Sequence, residues 1–312
     1  MAKKENVLKK LAYEMSKIKK TYKAKMLLFG EYSVINGSDA LAMPTGLFSG
    51  TWDFNREEAK SQDILYDFHA YLCGLEFEKA NYLQSSFKED LDQGLVFNSS
   101  IPIGYGVGSS GAVCAAIFDQ YYQKDSTIDR LTLKNILGRM ENFFHGSSSG
   151  LDPLICYLDQ AILIQRGELE VLELPENNSA YHFFLLDTGI PRRTAPLVQL
   201  YLEKYQSDKE FQKLIEEKLS AFNNLAIRQY LDGEYEALFH TFHEISDFQR
   251  VYFKEMIPEN CRGVWQQGLD TDLFKIKLCG AGGGGFLMGM TNDLAQATLL
   301  FRGNGVLKIR AL

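Results

Sequence analysis

The chain has 312 residues, 46% of them hydrophobic and 23% charged, with a formal net charge of −7. That length accommodates two domains, the composition is that of a globular protein, and the acidic balance argues against a nucleic-acid partner gripped by electrostatics. No run approaches 18 uninterrupted apolar residues, so no membrane span is expected, and five dispersed cysteines without a C-x-x-C pair fit a reducing, cytoplasmic compartment.

In chain order, the lysines between positions 3 and 25 accompany Val7, Leu8, Leu11 and Met15 at helical spacing. This predicts a solvated helix face rather than a targeting sequence, because Glu5 and Glu14 interrupt it and no long apolar core follows. Residues 25–29 form a strand that ends at Gly30; residues 32–35 continue after a turn, and Asn36-Gly37 signals a hairpin. Residues 61–93 contain a helix, and further helices follow at 112–121 and 131–144. Residues 161–164 and 169–174 make a hairpin about Gly167, and the turn-rich Pro175-Glu-Asn-Asn-Ser marks a boundary, giving domains 1–178 and 179–312. The second opens with a strand at 182–186. It continues with helices at 195–205, 208–231 and 235–256, then strands at 275–279 and 286–290 around Gly280-Ala-Gly-Gly-Gly-Gly. Strands and helices mix in both halves, so the fold class is α+β in two domains. His240 and His243 share a helix face, but with no third ligand in view they read as core or solvent-facing histidines.

The most informative run is Pro102-Ile-Gly-Tyr-Gly-Val-Gly-Ser-Ser-Gly-Ala112. A glycine-rich loop that opens a helix presents backbone N–H groups and the positive end of the helix dipole, which suits a nucleotide phosphate. Gly104, Gly106, Gly108, Ser109, Ser110 and Gly111 are therefore the candidate phosphate-binding residues. No lysine follows the glycines, so this is not a Walker A loop. Gly106 to Gly111 match the dinucleotide pattern G-x-G-x-x-G, yet Pro102 breaks the strand that pattern requires, and Asp125 and Asp129 end no second strand. A serine hydroxyl at the mouth of such a loop can ligate Mg²⁺ on nucleotide phosphates, or can cap the helix; one serine is available for each task.

A second constellation runs from Glu141 through His145-Gly-Ser-Ser-Ser-Gly-Leu to Asp152. One carboxylate on a helix and one beyond a Ser/Gly loop can serve a cation and an acceptor, although Asp152 before Pro153 equally suits a helix N-cap. Lys25 can add positive charge or be a plain strand lysine. The Gly280–Gly285 run either faces phosphate or packs tightly against a loop that does; its entropy cost implies a functional need.

With these segments in hand, the chain resembles the GHMP kinase superfamily, nearest the mevalonate kinases. Lys25-Met-Leu-Leu-Phe-Gly-Glu31-Tyr resembles the first family motif, Pro102–Ala112 the second and Lys277–Gly285 the third. Glu141 to Asp152 resembles the mevalonate kinase segment E-x-x-x-H-G-x-P-S-G-x-D, and Thr188-Gly-Ile-Pro-Arg192-Arg-Thr194 its T-x-x-P-R-x-T segment. The resemblance implies an N-terminal domain like ribosomal protein S5 domain 2 and a ferredoxin-like C-terminal domain. It implies transfer from ATP to the 5-hydroxyl of mevalonate, with a phosphomevalonate kinase, a sugar kinase or a silent sensor on the same fold as alternatives. Asp152 would be the catalytic base and Lys25 would lower the hydroxyl's pKa. Ser110 and Glu141 would hold Mg²⁺, and Glu31, Arg192 and Thr194 would line the acceptor pocket. The partner would be a small-molecule alcohol, and a homodimer is in keeping with the family. The chain departs from the pattern at Tyr32, where mevalonate kinases often have histidine, at Ser148, where they have proline, and at Pro153, where they have asparagine.

Overall fold

The computed structural model describes residues 20–59, 62–192, 194–303 and 309–311. The lysine-rich segment expected as a helix before residue 20, and Arg193, lie outside them. The described chain forms two compact units that interleave in sequence. Among the described residues, one comprises those within 20–25, 44–102 and 108–159; the other comprises those within 26–43, 103–107 and 160–311.

The first unit begins with the first residues of β1 (Thr21–Phe29), a strand whose alternation buries Tyr22 and Ala24 and puts Lys25 on the opposite face. The distal half of β2 (Ala40–Phe54) follows. The 61–93 window, expected to contain a helix, holds two, α1 (Asp63–Cys73) and α2 (Gln84–Asp92), separated by the short strand β3 (Ala80–Tyr82). Next, β4 (Leu95–Ser99) pairs antiparallel with β2, Gly50 opposite Ser99 and Phe54 opposite Leu95. The helix α3 (Ser109–Tyr121) is apolar on nearly every side and runs through the core, with Ala112, Cys114, Ala115, Ala116, Ile117 and Phe118 all buried. A short strand, β5 (Tyr122–Lys124), pairs with β3. The unit closes with α4 (Arg130–His145), capped by Asp129 through a 2.9 Å bond from Thr132 N, and α5 (Leu151–Leu158). Trp52, fully buried, sits edge-on to Phe87, Phe97 and Tyr121 at ring separations of 5.0–6.1 Å. Aromatic pairs in this geometry add about 0.5–1.5 kcal/mol each beyond their burial.

In the second unit the proximal end of β2 pairs with β6 (Ala161–Gln165), which forms the expected hairpin with β7 (Glu168–Leu172). Asn36-Gly37 does not make a tight hairpin. Between β1 and β2 the chain turns at Gly30 and passes through a 3₁₀ turn at Ser33–Asn36. The cause is Tyr32: it is buried at φ 63°, packs on Tyr201 and Phe253, and donates to the Ala281 carbonyl at 2.6 Å, so the segment is drawn into the core. The expected boundary after residue 178 lies in the turn between β7 and the next strand, β8 (His182–Asp187).

After β8 come α6 (Thr194–Ser207), α7 (Lys209–Leu214) and α8 (Ser220–Leu231). A π turn, Ile215–Leu219, splits the single helix expected at 208–231. Next, α9 (Tyr235–Tyr252) stops short of the expected residue 256 and gives way to a 3₁₀ turn, and α10 (Arg262–Asp270) leads into β9 (Phe274–Leu278). The unit ends with β10 (Phe286–Thr291), α11 (Leu294–Gly303) and β11 (Ile309–Ala311). The sheet order β11-β8-β10-β9 is antiparallel throughout, and its β-α-β-β-α-β succession is the ferredoxin-like pattern. Its core gathers Phe184, Leu186, Phe253, Trp265, Phe274 and Ile276, all fully or nearly fully buried. Each such side chain contributes about 1.5–3 kcal/mol relative to exposure.

Candidate active site

In the first unit, the glycine loop enters α3 at Gly108, which is the N-cap at φ 80°. Neither serine caps the helix; Ser109 and Ser110 are its first two residues, where their backbone N–H groups point out of the helix end. A Cβ on Gly108 would fall 2.8 Å from Lys25 Cγ, so the loop lies directly against the Lys25 stem. Lys25 Nζ stands 2.8 Å from Asp152 Oδ2, with the lysine side chain 11% exposed and the aspartate 36%. Asp152 is not a helix cap either, because Gly150 at φ 75° occupies that position and Asp152 lies in the first turn of α5. A Cβ on Gly111 would stand 3.0 Å from the Asp152 backbone, and one on Gly138 would stand 3.1 Å from Gly150 N. Bare glycines therefore let α3 and α4 approach the start of α5, and this approach sets Asp152 beside Lys25.

Glu141, on α4, is 3% exposed. Ser110 Oγ donates to its Oε1 at 2.8 Å, and Ser148 Oγ donates to its Oε2 at 2.5 Å. Ser110 has one proton, so its contact with His145 Nε2 at 2.9 Å requires the imidazole to donate from Nε2. Burial, and then the charge of Asp152, push the Glu141 carboxyl above its ordinary range. A cation beside it would reverse both effects. The sequence reading missed His145 and Ser148 as members of this cluster, although both stand inside the quoted motif.

In the second unit, residues 103–107 and the second glycine loop meet. Gly104 and Gly106 both have positive φ, and Arg192 N donates to Gly104 O at 2.9 Å. The Arg192 guanidinium donates to Cys279 O at 2.7 Å and occupies the space that a Cβ on Gly106 or Gly280 would need. A Cβ on Gly285 would stand 2.7 Å from Tyr105 O, so this second loop packs tightly against the first. Glu31 is buried and paired with Lys277, Nζ to Oε1 at 2.5 Å; that lysine also donates to Leu278 O. Lys277, quoted only as the start of a motif, thus emerges as the partner of Glu31. Thr194 opens α6. Among the described residues no cluster of three or more His, Cys, Asp or Glu side chains is arranged for a metal, and no helix is long and apolar enough to cross a membrane. A phosphate-bridging Mg²⁺ takes only one or two protein carboxylates, so the Ser110–Glu141 oxygens still suit it.

Residues 75–160 match the family model described as the GHMP kinases N terminal domain. A mevalonate kinase of Thermococcus gammatolerans is 31% identical over 183 residues, covering 49% of this chain and 53% of its own length. One from Archaeoglobus fulgidus is 24% identical over 276 residues, covering 85% and 89%. The alignments span between 53% and 65% of the first three curated relatives. Among solved structures, the Leishmania major mevalonate kinase in complex with R-mevalonate superposes with a TM-score of 0.64 at 16% identity, covering 94% of each chain.

Proposed function

We propose that this chain, which carries the N-terminal domain of the GHMP kinases on the fold of that superfamily, transfers the γ-phosphoryl group of ATP to an alcohol, the 5-hydroxyl of mevalonate. The observation that carries the reading is the Lys25–Asp152 pair at 2.8 Å, set against a glycine that opens a helix bearing two serines. The relatives named as mevalonate kinases support the choice of acceptor.

Phosphoryl transfer asks little covalent chemistry of a protein; it asks for positioning and charge. Asp152, partly exposed, accepts the acceptor hydroxyl's proton. Lys25 counters the charge on Asp152 and on the developing alkoxide, which lowers the hydroxyl's pKa. A positioned base of this kind contributes about 10²–10⁴-fold. Gly104, Gly106, Gly108, Ser109, Ser110 and Gly111 take the ATP phosphates through backbone N–H groups. Ser110 Oγ and Glu141 supply hard oxygen donors for Mg²⁺, and the raised pKa of Glu141 fits a carboxylate awaiting a cation. When bound, that ion neutralises charge on the nucleotide phosphates. Arg192 and Thr194 take the acceptor-binding role, and Glu31 serves it through the segment it anchors with Lys277. The functional division, 1–178 with the nucleotide loop and 179–312 as the second domain, cuts across the compact units, since residues 26–43, 103–107 and 160–178 pack within the second. The five free thiols suit a reducing cytoplasm.

ADP release with Mg·ATP tests the reading, with mevalonate, phosphomevalonate and galactose offered in parallel. Turnover is expected with mevalonate alone. Turnover only with another acceptor moves the pocket assignment, and ATP binding without turnover on any of them overturns the mevalonate reading. Asp152→Asn should lose at least about 100-fold in kcat while nucleotide binding persists; near-normal turnover would remove Asp152 from the role of base.

A further inference from the structure

The serine at position 148 has a place in the cation site that the family pattern does not provide, since that pattern has proline there. Both Glu141 oxygens receive a hydroxyl proton: Oε1 from Ser110 and Oε2 from Ser148. Gly150 N–H donates to the Ser148 oxygen at 3.0 Å, and the hydroxyl donates its single proton to Glu141 Oε2 at 2.5 Å. Glu141 is buried, and a proline at 148 could offer it no donor. A carboxylate has about four acceptor positions, and two hydroxyls leave lone pairs on each oxygen for a cation. Two serines from opposite sides of one carboxylate fix its rotamer and its plane.

We propose that Ser148 is a positioning residue for the divalent cation: it orients Glu141, so that the nucleotide's metal ion binds to a preset carboxylate. This rests on the kinase reading, in which Ser110 and Glu141 hold the ion. Outer hydrogen-bond partners of metal ligands typically change affinity by about 10–100-fold when removed.

The test is Mn²⁺ binding in the presence of ADP and the absence of any acceptor, followed by electron paramagnetic resonance of free Mn²⁺. Ser148→Ala should weaken Mn²⁺ by about tenfold or more, and Ser148→Thr, which keeps the hydroxyl, should stay within about threefold of the wild type. In turnover assays the alanine variant should need more metal yet approach the wild-type kcat at saturation. A purely structural role through the Ser148–Gly150 turn would instead shift α5 and lower kcat with Mn²⁺ affinity unchanged, and that result would overturn the proposal. So would alanine and threonine variants of equal affinity, with circular dichroism confirming that both fold. A wild-type protein that binds no Mn²⁺ with ADP would overturn the kinase reading itself. Wild-type binding that persists in Glu141→Gln would overturn the assignment of Glu141 and this inference with it.

Discussion

Replacing Lys277 with methionine exposes the energetics of the buried pair in the second unit. Lys277 is fully buried and the Glu31 side chain is 3% exposed, with Nζ 2.5 Å from Oε1. Methionine preserves most of the stem and removes the charge. Glu31 then keeps the backbone N–H of Gly280, and a lone buried carboxylate escapes by taking a proton. An unperturbed glutamate titrates near pH 4.3, so at pH 7 protonation costs about 3.7 kcal/mol, at about 1.36 kcal/mol per pH unit. The wild type already bears part of this cost, so K277M should lose up to about 3–4 kcal/mol at pH 7. The pH dependence follows from the same proton. Burial already pushes the Glu31 carboxyl upward and Lys277 opposes it, so removing the lysine pushes it further in the same direction. The folded variant then binds a proton that the unfolded chain releases. Its stability is fully present below the unfolded pKa and is lost as pH rises toward the folded one, so the penalty should shrink to about 1 kcal/mol at pH 5. The chain has two tryptophans, and Trp265 is buried in the second unit. Urea denaturation of the W52F background, followed by Trp265 fluorescence at pH 5, 6 and 7, reads the effect. A penalty under about 1 kcal/mol at pH 7, or one equal at all three pH values, would refute the reasoning.

The second glycine loop gives a steric test. Gly285 has φ 69° and a Cβ there would meet the Tyr105 carbonyl oxygen at 2.7 Å, whereas Gly37 has φ 90° and open space. Gly37→Ala should cost only the backbone strain, about 1 kcal/mol, and Gly285→Ala clearly more, with weakened binding of a fluorescent ATP analogue; equal losses on thermal denaturation would contradict the crowding. Burial pushes the thiols of Cys114 and Cys156 upward, and Cys261 and Cys279 are also buried, while Cys73 is exposed. Iodoacetamide at pH 8 should thus modify Cys73 alone in the native protein, as mass spectrometry of its peptides would show; early labelling of Cys156 would mean that the packing between Gly108 and α5 opens.

The legible parts of the sequence were those governed by local rules. The strand at 25–29, the helix at 131–144, the hairpin about Gly167 and the helix opening after Gly108 all follow from periodicity and from glycine at a turn or helix start. The glycine- and serine-rich segments stand out because such clusters are costly without a purpose. What escaped depended on contacts distant in sequence. Asn36-Gly37 has a hairpin's composition, but Tyr32 bonds the Ala281 carbonyl 249 residues away and overrides it. The Glu31–Lys277 pair joins residues 246 apart, and no spacing rule announces it. Ser109 and Asp152 are both good capping residues, yet glycines at positive φ took the caps and left their side chains for other work. Ser148 departs from the motif's pattern, and only the fold brings its hydroxyl onto Glu141.

The two lysine–carboxylate pairs show how one chemical contact serves opposite ends. Lys277–Glu31 is closed to solvent on both sides, so each charge is committed to the other and neither can be exchanged without the penalty worked out above. Lys25–Asp152 has a similar separation, 2.8 Å, but its aspartate side chain is 36% exposed. Water screens that pair, and an incoming hydroxyl can replace water on the carboxylate at little cost. A base must be able to change partners during turnover, while an anchor must not. This difference supports the proposal that Asp152, rather than Glu31, accepts the proton. Glu141 falls between the two: it is as buried as Glu31, but Ser110, Ser148 and His145 surround it, the setting in which a cation ligand is proposed.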